Sequence, residues 1–136
     1  MISFNYETEF SLENEQQISN WISSVISEEE FREGEINYIF CDDDYLLKLN
    51  LEFLNHDTLT DIISFDYTVG KEINGDVYIS IERVRDNAND FNVEFIDELN
   101  RVMVHGVLHY CGYKDKSEDE EKAMRLKENY YTSKIL

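Results

Sequence analysis

Residues 105–116 read HGVLHYCGYKDK. Two histidines four residues apart fall on one stripe of an α-helix, about 40° apart at about 100° per residue. Both imidazoles can therefore reach one cation. Gly112 follows, and glycine takes the left-handed conformation that ends a helix without a steric penalty. The chain can then double back and bring Asp115 to the same point. The pattern H-x-x-x-H-x-x-G-x-x-D offers two nitrogens and a carboxylate, a donor set suited to tetrahedral zinc with a fourth position open. Cys111 is a rival ligand, but it lies about 160° round the helix from His109 and reads as a packing residue. His56, in LNHDTLTD, reads as a loop histidine.

A helix must present these side chains. Residues 102–111, VMVHGVLHYC, are apolar nearly all round, which predicts a buried helix. The spacing extends it over about 94–111, with Glu98 and Arg101 near the histidine stripe and Ile96, Leu99, Met103 and Val107 opposite, toward the core. SEDE at 117–120 is a capping-box pattern that starts a last helix over 117–132. Earlier segments alternate: strands at 2–7, 34–42, 61–68 and 75–80, helices at 11–30 (capped by Ser11), 44–55 and 82–91. Strands early and helices late predict an α+β fold, with a small mixed sheet covered by helices and a zincin-like metal-binding helix. At 136 residues with no proline and no linker-like tract, one domain over 1–136 is expected.

Composition narrows the function. Thirty acids against 12 bases give a net charge of −18, which argues against loose, charge-driven binding to nucleic acid. It leaves room for a small basic groove, and Arg83, Arg85 and Arg101 before the motif, with Lys114, Lys116, Lys122, Arg125 and Lys127 after it, are the residues available. The two cysteines, Cys41 and Cys111, are far apart and read as reduced, which excludes a zinc ribbon built on four cysteines. No apolar run approaches a membrane span and the first residues do not resemble a signal peptide, so the cytoplasm is the expected compartment.

With these residues in view, the chain resembles the YbeY family of bacterial ribosomal RNA maturation factors, which are single-domain, zinc-dependent endoribonucleases. The family hallmark H-G-x-L-H-x-x-G-Y-D-H is met by His105, Gly106, Leu108, His109, Gly112 and Tyr113. TDIISF (60–65), GDVYIS (75–80) and EKAMRLKE (121–128) resemble three further family segments. The resemblance implies an α+β fold and one zinc ion. It implies action at the 3′ end of small-subunit ribosomal RNA, with a role in ribosome quality control. Small-subunit ribosomal proteins and an assembly GTPase are the partners it implies, and no membrane.

Two positions depart from the family pattern. Asp115 stands where the family has its third histidine, and Lys114 where it has an aspartate. A carboxylate leaves the centre less positive than a third imidazole would, which predicts a higher pH optimum than in three-histidine relatives. Leu54 stands where the family commonly has an arginine, so phosphate contact falls to another group, with Arg83 and Arg101 as candidates. Asp61 and Asp76 are the family-matched acids that could orient ligands or water. Two other readings stay open. A non-catalytic ribosome-assembly module would use the metal structurally, closed by a fourth ligand such as Cys111 or His56. A metallopeptidase needs the glutamate of H-E-x-x-H as its base, and here Gly106 takes that place.

Overall fold

The long strand that carries GDVYIS explains the architecture. In β4 (Glu72–Ser80) burial alternates residue by residue, with Ile73, Gly75, Val77 and Ile79 on one face and Asn74, Asp76 and Tyr78 on the other. This period of two is that of a strand with one fully covered face. The computed structural model describes residues 1–54 and 60–135. In it β1 (Ile2–Tyr6) runs parallel to β2 (Arg32–Cys41), β2 parallel to β4, and β3 (Ile62–Asp66) antiparallel to β4, giving the order β1-β2-β4-β3. The sheet is mixed, as expected, and β3 is an edge strand beside the metal-motif helix.

Helices α1 (Glu15–Glu28), α3 (Ile81–Phe91), α4 (Phe95–Tyr110) and α5 (Glu118–Thr132) join the sheet in one core, which takes in Trp21, Ile22, Tyr38, Phe40, Val77, Ile79, Met103, Val107 and Tyr131. A smaller cluster of Cys41, Leu46 and Ile63 holds the short α2 (Asp43–Leu49) to the opposite face. Full burial of each large apolar side chain contributes about 1.5–3 kcal/mol, so α4, with six buried Leu, Val and Met residues, anchors the helical layer. No helix among the described residues is long and apolar enough to cross a membrane.

Several boundaries differ from the sequence-based expectation. The first helix begins at Glu15, after Asn14, and not at Ser11. The backbone N–H of Leu12 is committed to the Tyr6 hydroxyl at 3.2 Å, and the Leu12 side chain is buried against the core, so residues 11–13 stay outside the helix. The expected helix at 44–55 stops at Leu49 and continues as one wider π-helical turn, Asn50–Leu54. β4 starts three residues early because Val69 and Glu72 exchange two backbone hydrogen bonds of 3.0 Å across a tight hairpin. On α4, Leu99, Met103 and Val107 face the core, but Ile96 is 44% exposed. It lies in the first turn of the helix.

Candidate metal centre

α4 ends as its sequence dictates. Gly112 has φ +99°, its N–H donates to the His109 carbonyl at 3.0 Å, and the Tyr113 N–H donates to the Leu108 carbonyl at 3.1 Å. This pair of bonds is the Schellman motif. It reverses the chain and carries Asp115 back over the last turn. Ser117 then starts α5, its side chain and that of Glu120 exchanging reciprocal capping bonds.

The result is a triangle of ligand atoms. The Nε2 atoms of His105 and His109 are 3.0 Å apart, and Asp115 Oδ2 is 3.3 Å from each. A tetrahedral zinc ion with bonds of about 2.0–2.1 Å needs ligand–ligand edges of about 3.3 Å. The second ring nitrogen of each imidazole is already engaged. His109 Nδ1 lies 3.0 Å from the Tyr113 carbonyl oxygen, and His105 Nδ1 lies 2.5 Å from Glu128 Oε2. Both partners can only accept, so Nδ1 carries the proton in each ring and each Nε2 presents a lone pair. Three acceptors therefore converge with no donor among them, an arrangement that a cation satisfies.

The surroundings add to this. Glu128 and Glu98 are each only 2% exposed. Between them lies Arg101, which donates from Nε to Glu98 Oε1 at 3.0 Å and from Nη1 to Glu128 Oε1 at 3.1 Å. Arg101 thus links two buried carboxylates, and a second guanidinium, that of Arg125, stands 3.7 Å from Glu128 Oε1. Burial works to raise the Glu128 carboxyl, but the His105 hydrogen bond and the Arg101 charge outweigh it and hold it below the usual carboxylate range. Burial likewise works to lower Arg101, and the two glutamates outweigh it, so its pKa is raised.

A second strut holds the turn from outside. The Tyr113 hydroxyl donates to Glu29 Oε1 at 2.8 Å, and Lys127 and Tyr131 donate to Glu29 Oε2. Burial pushes the Glu29 carboxyl up, but these donors prevail and its pKa is lowered. The Tyr113 carbonyl that orients His109 is thus braced between α1 and α5.

A cleft of about 350 Å³ opens over the triad, lined also by Thr60, Asp61, Ile62, Ser64, Arg101 and Val102. Burial raises the pKa of the Asp61 carboxyl, against the opposing charge of Arg101. Asp61 therefore lies in the cleft with the triad, and its Oδ2 accepts weakly from Asn87 at 3.4 Å.

The structure does not bring the other candidates there. Asp76 follows Gly75 and precedes Val77, whose side chain faces α4, so strand alternation places Asp76 on the opposite face, bonded to Asn37 at 3.0 Å. Arg83 is paired with Asp43 at 3.2 Å and with Asp86 and does not line the cleft. Arg101 does line it, but both ends of its guanidinium are held by buried glutamates. Cys111 packs against the core, with its thiol pushed up to about 12 by burial and then by Glu29. His56 lies outside the described residues, as does the side chain of Leu54.

Sequence reasoning overlooked Glu128 as a partner of the site. A signal existed, since Met124, Glu128 and Tyr131 share one helical stripe and are all buried. A glutamate on an apolar stripe is buried only when paired.

Gly106 has a different role from the peptidase glutamate. A Cβ there would come within 3.1 Å of Val77 Cγ1 and 3.2 Å of Ile62 Cδ1. The position faces the side chains of the sheet at close range, and a larger residue there needs Val77 and Ile62 to give way.

Comparison with known proteins bears on the family. The model of the endoribonuclease YbeY family matches residues 2–136. Proteins named endoribonuclease YbeY from Flavobacterium johnsoniae and Flavobacterium psychrophilum are 69% and 67% identical, each over 95% of this chain and over 93% and 92% of their own length. One from Karelsulcia muelleri is 47% identical over 96% of this chain and 93% of its own. The solution structure of TM1509 from Thermotoga maritima superposes with a TM-score of 0.72 at 25% identity, covering 99% of this chain and 89% of that one. By the extent of these matches, the chain belongs to the endoribonuclease YbeY family.

Proposed function

We propose that this protein is a zinc-dependent endoribonuclease that cuts ribosomal RNA during maturation of the small subunit. The observation that carries the metal assignment is the triangle of two Nε2 lone pairs and one carboxylate oxygen at 3.0–3.3 Å. The family membership carries the RNA substrate. When bound, zinc supplies a Lewis acid for a phosphate oxygen and a position for water. The chain's own residues do the rest. His105, His109 and Asp115 hold the ion. Glu128 fixes the proton on His105 Nδ1, and Arg101 fixes Glu128. Asp61, on the cleft wall with the triad, is suited to hold or release a proton at its carboxylate oxygens.

The partners are small-subunit RNA and, on the family pattern, small-subunit ribosomal proteins and an assembly GTPase. A net charge of −18 suits basic ribosomal proteins. Both cysteines are free, in keeping with a reducing, cytoplasmic setting. The test is cleavage of small-subunit RNA by metal-loaded wild type and by His109→Ala. Cutting by wild type and not by the variant supports the reading. If wild type binds zinc but leaves RNA intact, the structural-metal assembly module replaces it.

A further inference from the structure

Arg101 divides its donors unequally between two carboxylates. Nε donates to Glu98 Oε1 at 3.0 Å and Nη2 to Glu98 Oε2, a forked pair. That leaves Nη1 for Glu128, which it meets at Oε1 at 3.1 Å. Arg125 approaches the same oxygen, at 3.7 Å. Both guanidinium groups thus lie on Oε1 of Glu128, and Oε2 is left to His105 Nδ1 at 2.5 Å.

Glu98 holds this division in place. Glu98, Arg101 and His105 stand three and four residues apart on α4, so they share one stripe of the helix, and Glu128 reaches it from α5. Glu98 is buried and does not line the cleft over the triad, so contact with substrate does not explain it. Burying a carboxylate carries a desolvation cost that good pairing must offset. The pairing here occupies the two-nitrogen edge of a guanidinium, the strongest contact that arginine offers a carboxylate. Without Glu98 that edge is released, and the other carboxylate within its reach is Glu128. A guanidinium forked onto both Glu128 oxygens competes with His105 for Oε2.

We infer that Glu98 is a positioning residue for the metal centre. By occupying the forked edge of Arg101 it keeps Glu128 Oε2 on His105 Nδ1, and so keeps the His105 Nε2 lone pair turned toward the metal. It acts through Arg101 and Glu128. The inference rests on the metal assignment proposed above and is independent of the RNA substrate.

The test is zinc affinity of the full chain by competition with a chelator, together with the NMR signal of the His105 Nδ1–H in the zinc-free protein. In wild type that proton, bonded to a buried carboxylate, should exchange slowly. Glu98→Gln keeps the size of the side chain but turns an N–H₂ toward donors. It should weaken zinc binding about tenfold, the lower end of the effect of losing an outer partner of a ligand, and the His105 signal should broaden or vanish. Glu98→Asp, which keeps a carboxylate for the fork, should restore part of the affinity. Glu98→Gln/Arg101→Gln removes the competitor together with its holder. The amide introduced at 101 can still donate one N–H to Glu128 Oε1, so zinc affinity should return most of the way to wild type and the His105 signal should reappear. Under a purely structural role the double variant is worse than the single one. Unchanged zinc affinity in Glu98→Gln, or a double variant that binds zinc more weakly still, would overturn the role of Glu98. If Glu98→Gln does not fold, the double variant decides: retained zinc supports the role and lost zinc overturns it. Wild type that binds no zinc sinks the metal assignment instead. The His105 signal then decides alone, its loss in Glu98→Gln supporting the role of Glu98 and its persistence overturning it.

Discussion

At the scale of single residues, the metal centre depends on how its ligands are held. His105 keeps its metal-facing lone pair because Glu128 accepts the Nδ1 proton. Glu128→Gln would have to turn its amide N–H₂ toward either His105 or Arg101, and neither can accept it. Zinc affinity should fall about 10–100-fold, read by competition with a chelator. Asp115 sets the charge of the centre. Asp115→His should retain zinc and move the pH optimum of cleavage lower, as a more positive centre acidifies its water further; superimposable pH–rate profiles for the two proteins would contradict this. The ligand spacing was legible in the sequence because His105, His109, Gly112 and Asp115 are local. Glu128 and Glu98 were not assigned, because their role depends on α5 packing on α4, a contact that no short motif encodes.

At the scale of elements, the contact between α4 and the sheet limits what position 106 can carry. Gly106→Glu, the substitution that would recreate the peptidase motif, drives a carboxylate between α4 and the Val77 and Ile62 side chains. Overpacking costs about 1–3 kcal/mol, and an unpaired buried charge adds more. The expected outcome is a large fall in Tm without peptidase activity. A stable variant would show that α4 sits farther from the sheet than described. The elements themselves were readable where periodicity was strong, as in β4 and α4. They were misread where a long-range contact overrode local preference. Leu12 is held by Tyr6 outside the helix, and the hairpin at Val69–Glu72 lengthens β4. Asp76 stayed open as a candidate beside Asp61 for a related reason, since a strand motif names residues on both faces and only the packed fold tells which face meets the helix.

At the scale of the whole molecule, the charge of −18 acts against compactness through self-repulsion. Added salt should therefore raise Tm, by screening. Acid should act in the opposite direction below the ordinary glutamate range. Glu29, Glu33 and Glu128 have lowered pKa values in the fold. The stability they contribute is present above the ordinary glutamate value of 4.5 and is lost as pH falls through their lower folded values. A Tm that keeps rising below pH 4 would contradict this. The central claim is that one cation binds at His105, His109 and Asp115 with a position left open. Its most direct test is zinc stoichiometry in wild type and in His105→Ala, His109→Ala, Asp115→Ala and Asp76→Asn. One zinc per chain is expected in wild type and in Asp76→Asn, and its loss or severe weakening in each of the other three. Stoichiometric, tight zinc in His109→Ala would contradict it.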